Sequence, residues 1–217
     1  MGLSRRDCIK RAAAAVLWGC VAAPLAAQAQ TARPVVLIVG DSLSAEYGLK
    51  RGSGWVALLE KKLGAEKIEA TVVNASISGD TTAGGRSRLP ALLAQHKPDV
   101  VVIELGGNDA LRGLPLDMTE RNLAEMVRAS KGADAEVLLL GMQVPPNYGR
   151  AYSDDFAALF ASVAKDQGVA LVPFLLKSVA DVANAAELFQ ADRIHPRESA
   201  QPLMLANVWP ALKPLLK

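Results

Sequence analysis

Residues 35–47 read VVLIVGDSLSAEY, an apolar run that halts at Gly40 and at once presents Asp41 and Ser42. Five consecutive apolar residues, Val35 to Val39, mostly β-branched and without polar alternation, predict a strand buried on both faces. Gly40 ends it. Open α/β sheets place their chemistry in the crevice outside the carboxyl ends of the strands, so a serine there is a candidate nucleophile. Asp and Ser after a strand equally suit a turn or a helix cap, and this stretch alone leaves both readings open.

Working outward, four further apolar segments alternate with stretches of helical spacing. Ile68 to Val73, Asp99 to Leu105, Glu136 to Met142 and Val169 to Phe174 read as strands. Gly54–Leu63, Thr81–His96, Met118–Lys131, Ser153–Asp166, a shorter Ser178–Leu188 and a terminal Ser199–Leu216 read as helices, with a kink or break expected at Pro90 and Pro202 tolerable in a first turn. The segments Arg112–Asp117 and Gln190–Arg197 read as loops. Strand–helix alternation predicts a three-layer α/β fold around a mostly parallel five-stranded sheet, in one domain over residues 30–217. Alternation does not determine strand order. Gly52-Ser53-Gly54 with Ala57 matches a dinucleotide fingerprint, but it lies twelve residues beyond the strand, so it is read as a chance match.

The amino terminus stands apart. Arg5, Arg6, Lys10 and Arg11 precede an Ala-rich run from Ala12 to Ala27 that closes on Ala27-Gln28-Ala29, the pattern of a secretory signal peptide over residues 1–29. Sixteen residues interrupted by Pro24 fall short of the roughly 20 that a membrane-crossing helix needs, so no stable membrane anchor is expected. Ser4-Arg5-Arg6-Asp7-Cys8-Ile9-Lys10 resembles a twin-arginine export signal, with Cys8 where that pattern favours a large apolar side chain. The chain has 24 basic and 22 acidic residues; four and one of these lie in residues 1–29, leaving 20 basic and 21 acidic. A near-neutral exported domain has no electrostatic footprint for nucleic acid or for an anionic membrane. Both cysteines, Cys8 and Cys20, leave with the signal, which excludes cysteine chemistry and disulfides from the rest.

A serine nucleophile needs a general base, and the chain offers two histidines. His96 sits at a helix end just before a strand, on the side opposite the strand tips that carry Ser42, and reads as a solvated helix-terminal residue. His195 lies in a polar loop with Asp192 three residues upstream. One tight turn brings that carboxylate to Nδ1 and leaves Nε2 free for a serine proton, although D-x-x-H is common and Asp192 equally suits a turn cap. No H-E-x-x-H cluster, P-loop or G-x-S-x-G elbow occurs, so neither a metal nor a cofactor is expected.

Four blocks in this order, Gly40-Asp41-Ser42-Leu43-Ser44, Ser78-Gly79-Asp80-Thr81, Gly106-Gly107-Asn108-Asp109 and Asp192-Arg193-Ile194-His195-Pro196, resemble those of the SGNH (GDSL) hydrolases. Over nearly the whole of residues 30–217 the chain is similar to the exported bacterial branch of thioesterase I, arylesterase and lysophospholipase enzymes. The resemblance implies a flavodoxin-like sheet ordered 2-1-3-4-5. It implies Ser42 as nucleophile, His195 as base and Asp192 as its orienting partner, with an oxyanion hole from the N–H groups of Ser42 and Gly79 and the Asn108 amide. It also places Leu111, Leu114 and Leu116 beside the acyl group, where ordinary packing under a loop is the competing role. Two residues depart from the branch: Glu46 stands where small residues are frequent, and Arg193 replaces a common glycine, where its guanidinium could pair with Asp192 in competition with His195. The expected activity is hydrolysis of small-molecule acyl esters or thioesters by a monomer in the periplasm or outside the cell, with lysophospholipids or other carboxylic esters favoured because acyl-CoA is scarce there. A sugar-ester deacetylase on the same fold and a non-catalytic binding module are the alternatives.

Overall fold

β1 covers Val35–Gly40 and runs through the middle of a five-stranded sheet, buried from Val36 onward because helices cover both of its faces. The structure is a computed structural model that describes residues 33–216; the proposed signal segment, with Cys8 and Cys20, lies outside them. β2 (Thr71–Asn74), β3 (Val100–Glu104), β4 (Glu136–Leu140) and β5 (Ala170–Val172) complete the sheet. All four pairings are parallel and the order is β2-β1-β3-β4-β5, as the resemblance implies. β1 and β3 run in register from Val36↔Val100 to Gly40↔Glu104. Every crossover in a parallel sheet returns the chain to the same starting edge, so all strand-exit loops gather at one end.

Two helical layers enclose this sheet. α1 (Trp55–Ala65) packs on α7 (Gln201–Leu212), while α2 (Thr82–His96), α4 (Leu116–Lys131) and α5 (Arg150–Gln167) pack in series; α3 (Gly107–Leu111) and α6 (Ala185–Leu188) are short. Trp55, Phe156 and Phe160 are the bulkiest fully buried side chains.

β2, α2 and the stretch 178–188 differ from the sequence reading. β2 begins at Thr71, because the Ile68 N–H bonds back to the Leu63 carbonyl (3.0 Å) and Lys67 takes a left-handed conformation, closing α1 with a capping turn in which Ile68 packs on the core. α2 continues through Pro90, which lies exposed along with Arg86, the residue whose carbonyl loses its helical donor. The stretch 178–188 is helical only over Ala185–Leu188. Asp181 accepts from the Ser178 N–H, and the Asn207 amide bonds the carbonyls of Leu175 and Lys177 (2.8 Å each), so side chains take backbone groups that a helix would need.

Candidate active site

The turn after β1 is built by Asp41. Its Oδ1 accepts from the Leu43 N–H (3.0 Å) and its carbonyl from the Ala45 N–H (2.9 Å), so Asp41 makes the turn while Ser42 is the residue presented. Gly40 is required by close approach: a Cβ there would stand 2.7 Å from Glu104 Oε2 and 2.8 Å from Ser44 Oγ.

Ser42 Oγ lies 2.8 Å from His195 Nε2, and His195 Nδ1 lies 2.8 Å from Asp192 Oδ2. Desolvation works against ionising Asp192, but the N–H groups of His195 and Ile194 (3.0 Å each) and the imidazole itself hold its carboxyl down at about 2. An ionised carboxylate only accepts, so Nδ1 carries the hydrogen and Nε2 presents a lone pair to which Ser42 Oγ–H donates. Arg193 makes no ion pair with Asp192 among the described residues; it adopts φ +59°, a left-handed conformation that glycine takes without strain. His96 ends α2, at the end of the sheet away from Ser42.

The two loops that carry Ser42 and His195 are joined by Gln190. Its N–H donates to the His195 carbonyl (2.8 Å), and its side-chain Nε2 donates to the Tyr47 carbonyl (2.9 Å). The Tyr47 ring rests against the imidazole, centroids 4.4 Å apart. Neither residue figures in the sequence reading.

Three donors lie on three loops at the carboxyl end of the sheet. Among the described residues the N–H groups of Ser42 and Gly79 have no protein acceptor. Gly79 sits at φ +80°, in a turn closed by the Asp80 N–H on the Ile77 carbonyl (3.0 Å), and the Arg112 guanidinium holds its carbonyl (2.7 Å). Arg88 secures this turn to β1: it pairs with Asp80 (2.8 Å) and donates to the carbonyls of Ala75 and Gly40. Asn108 is the second residue of α3, a helical turn absent from the sequence reading that follows Gly106 at φ +115°. One hydrogen of its amide is spent on Asp41 Oδ2 (2.9 Å), which leaves the other for a ligand. Asp109 anchors α3 by accepting from the N–H (2.9 Å) and hydroxyl (2.5 Å) of Thr82, the first residue of α2, where the helix dipole favours a negative charge.

Beneath the nucleophile turn lies a buried carboxyl pair. Glu104 Oε2 accepts from Ser44 Oγ (2.7 Å) and the Asp41 N–H (3.2 Å), while its Oε1 is buried without a partner. Trp55 Nε1–H also reaches Ser44 Oγ (3.2 Å). Burial, then the neighbouring Asp41, push the Glu104 carboxyl well above its ordinary value. Burial pushes Asp41 up to about 6, against the opposing pull of the Leu43 N–H, His195 and Asn108. A lone Glu in the apolar run DVVVIEL was the signal available in the sequence for this acid.

Other expected residues take different places. Glu46 folds its carboxylate onto the N–H groups of Gly52 (3.0 Å) and Gly54 (2.7 Å), so the glycines of the fingerprint match enclose the chain's own anion at the start of α1. Leu111 is exposed at the end of α3, Leu114 is half-buried, and Leu116 is the first residue of α4, packed against the core. These three leucines do not share one environment, and Leu116 takes the packing role. Beyond the turn, a groove of about 600 Å³ opens between the β1 and β2 loops, with Ala45, Leu49, Arg51, Val56, Asn74 and Ser76 in its walls.

A serine, histidine and aspartate in hydrogen-bonded series at the strand ends of a doubly wound parallel sheet define a site of the serine-hydrolase class. A profile of the GDSL-like Lipase/Acylhydrolase family matches residues 38–201, and the chain belongs to that family. It is 53% identical over 203 residues to "Esterase TesA" of Pseudomonas aeruginosa, covering 94% of this chain and 99% of that protein. It is 43% identical over 185 residues to "Thioesterase 1/protease 1/lysophospholipase L1" of Escherichia coli, covering 85% and 86%. The crystal structure of a TesA superposes with a TM-score of 0.80 at 54% identity, covering 83% of this chain and 99% of that one.

Proposed function

We propose that the chain hydrolyses carboxylic esters and acyl thioesters, lysophospholipids among them, through a Ser42 acyl-enzyme. His195 Nε2 takes the Ser42 proton as Oγ attacks the acyl carbonyl, and the same proton passes to the departing alcohol or thiol. Asp192 holds the imidazole in the tautomer this requires and offsets the positive charge that develops on it. The carbonyl oxygen, now an anion, receives the N–H groups of Ser42 and Gly79 and the second hydrogen of the Asn108 amide. Water then enters, His195 activates it, and the acyl-enzyme is released as a carboxylic acid.

The observation that carries this reading is the unbroken series Ser42–His195–Asp192, 2.8 Å at each link, together with the N–H groups of Ser42 and Gly79, which have no protein acceptor among the described residues. The names of the relatives, esterase, thioesterase and lysophospholipase, support the substrate class. Export with loss of residues 1–29 and action as a monomer in the periplasm or outside the cell complete the proposal; the arginines, apolar run and A-x-A site support the first. Among the described residues no helix is long and apolar enough to cross a membrane.

A fluorophosphonate probe tests the reading. One adduct per chain is expected, located to Ser42 by mass spectrometry, and absent from Ser42→Ala along with p-nitrophenyl ester hydrolysis. Hydrolysis that survives in Ser42→Ala would refute it.

A further inference from the structure

Among the described residues, the large apolar side chains left most exposed are Tyr47, Ile77, Leu111, Tyr148, Ile194 and Leu203, at 36–53%. Scattered singly they would need no explanation. They are not scattered. Tyr47 follows β1, Ile77 follows β2, Leu111 follows β3, Tyr148 follows β4 and Ile194 precedes α7, so the all-parallel sheet brings these five to its carboxyl end; Leu203 lies in the first turn of α7. The loops at the other end, residues 66–70, 97–99, 132–135 and 168–169, expose no large apolar side chain among the described residues.

Four of the six are fastened to the site itself. The Tyr47 ring meets His195, and the Ile194 N–H is held by Asp192 Oδ1. Ile77 binds the Gly40 carbonyl through its N–H (3.0 Å) and closes the Gly79 turn through its carbonyl. Leu111 ends α3, the helical turn that carries Asn108. The apolar tips therefore sit on separate loops around the mouth above Ser42, with polar backbone between them. Arg112 and Arg193, both exposed, follow Leu111 and precede Ile194. Apolar tips beside guanidinium groups complement the boundary of a phospholipid layer, where acyl carbonyls lie just beneath phosphates, and tyrosine suits that depth because its ring is apolar and its hydroxyl polar.

We propose that this end of the molecule docks reversibly on a phospholipid surface, with Tyr47, Ile77, Tyr148 and Ile194 entering the headgroup boundary and Arg112 and Arg193 meeting phosphates. Docking sets the mouth over lipid esters and shortens the path of a lysophospholipid from its layer to Ser42; this use of the surface rests on the acyl-hydrolase reading. A fluid lipid layer fits separated tips around an open centre, whereas a rigid partner seated on all of them would close the site.

The test compares the exported chain, its amino terminus read by mass spectrometry, with an Ile77→Ser/Tyr148→Ser/Ile194→Ser variant sharing that terminus, both also carrying Ser42→Ala for the binding arm. With vesicles of phosphatidylcholine and phosphatidylglycerol, the Ser42→Ala parent should co-sediment and the triple variant should partition at least about tenfold more weakly, given the apolar area removed. In the active background the ratio of lysophosphatidylcholine hydrolysis in vesicles to p-nitrophenyl acetate turnover should fall about tenfold or more in the triple variant. Equal partition of the two proteins, or no partition of the parent, overturns the proposal. A parent dimer that the triple variant dissolves would assign the face to a second copy and overturn it too. Vesicle partition without p-nitrophenyl acetate hydrolysis in the parent would sink the catalytic reading alone and leave the docking supported.

Discussion

Replacing Asn108 by Ala removes the one side-chain donor of the proposed oxyanion hole and also takes a partner from a buried carboxylate. The amide spans two groups: one hydrogen on Asp41 Oδ2 at 2.9 Å, the other free. An interaction that strengthens as charge develops on the carbonyl oxygen acts mainly on kcat, and losing one such donor typically costs about 10² to 10³, or roughly 3 to 4 kcal/mol. The lost bond to Asp41 adds a stability cost of about 1 to 3 kcal/mol, since a buried acceptor is left unpaired. Asn108→Ala should therefore fold, melt a few degrees lower, keep KM within about threefold and lose kcat by at least about a hundredfold. Asn108→Asp should be no better. Its carboxyl would face Asp41 across the same gap, where like charges about 4 Å apart repel by about 4 kcal/mol at an effective dielectric of 20, so one of the two takes a proton. That proton bridges the pair and leaves nothing for the oxyanion. kcat and KM on p-nitrophenyl butyrate, measured beside thermal melting and the rate of fluorophosphonate labelling, separate the two costs. An Asn108→Ala variant that melts early but turns over at the normal rate would refute the oxyanion role and leave Asn108 as a turn residue.

Glu104 and Asp41 both have raised folded-state pKa values, so the stability they contribute is full below about pH 4 and is lost as pH climbs through 6 and beyond; Asp41 alone, moved from 3.8 to about 6, represents about 3 kcal/mol. Glu104→Gln keeps an acceptor for Ser44 and removes the second acid, so its melting temperature should fall less steeply between pH 5 and 8 than the parent's, a window taken from those shifts; parallel curves would show Glu104 to be uncoupled. Gln190→Ala cuts the side-chain bond between the Tyr47 carbonyl and the His195 loop, which should cost about 1 kcal/mol of stability and about tenfold in kcat at near-constant KM, whereas unchanged kcat would reduce Gln190 to a loop residue. At φ +59°, Arg193→Gly should be more stable than Arg193→Ala by about 1 kcal/mol in urea unfolding, with both near the parent in kcat because the guanidinium does not hold Asp192; equal stabilities would mean that the left-handed turn is not retained.

What the sequence determined by itself was local or enumerable. Apolar runs of five residues mark strands because a doubly covered strand needs no polar alternation, and the base follows from a choice between two histidines, of which His96 ends a helix just before a strand while His195 lies in a polar loop three residues after Asp192. The same locality explains the misreadings at Ile68 and at residues 178–188, where apolar spacing was right but a left-handed Lys67 and the distant Asn207 amide decided the backbone. Tertiary structure alone decided the contacts across the sheet. The pairing Gly40↔Glu104 places an acid sixty-three residues away under the Asp41 N–H, and that register has no signature in either strand. The same assembly stands Asp41 behind Asn108, hooks Gln190 onto the Tyr47 carbonyl and runs Arg88 from Asp80 to Gly40. Exposure likewise belongs to the fold: Tyr47, Ile77, Leu111, Tyr148 and Ile194 are ordinary apolar residues in five separate segments, and only parallel strands turn them toward one end. Side chains can be read for what they are able to do, but the partner that makes each of them do it is brought by a register and a packing that no neighbouring residue encodes.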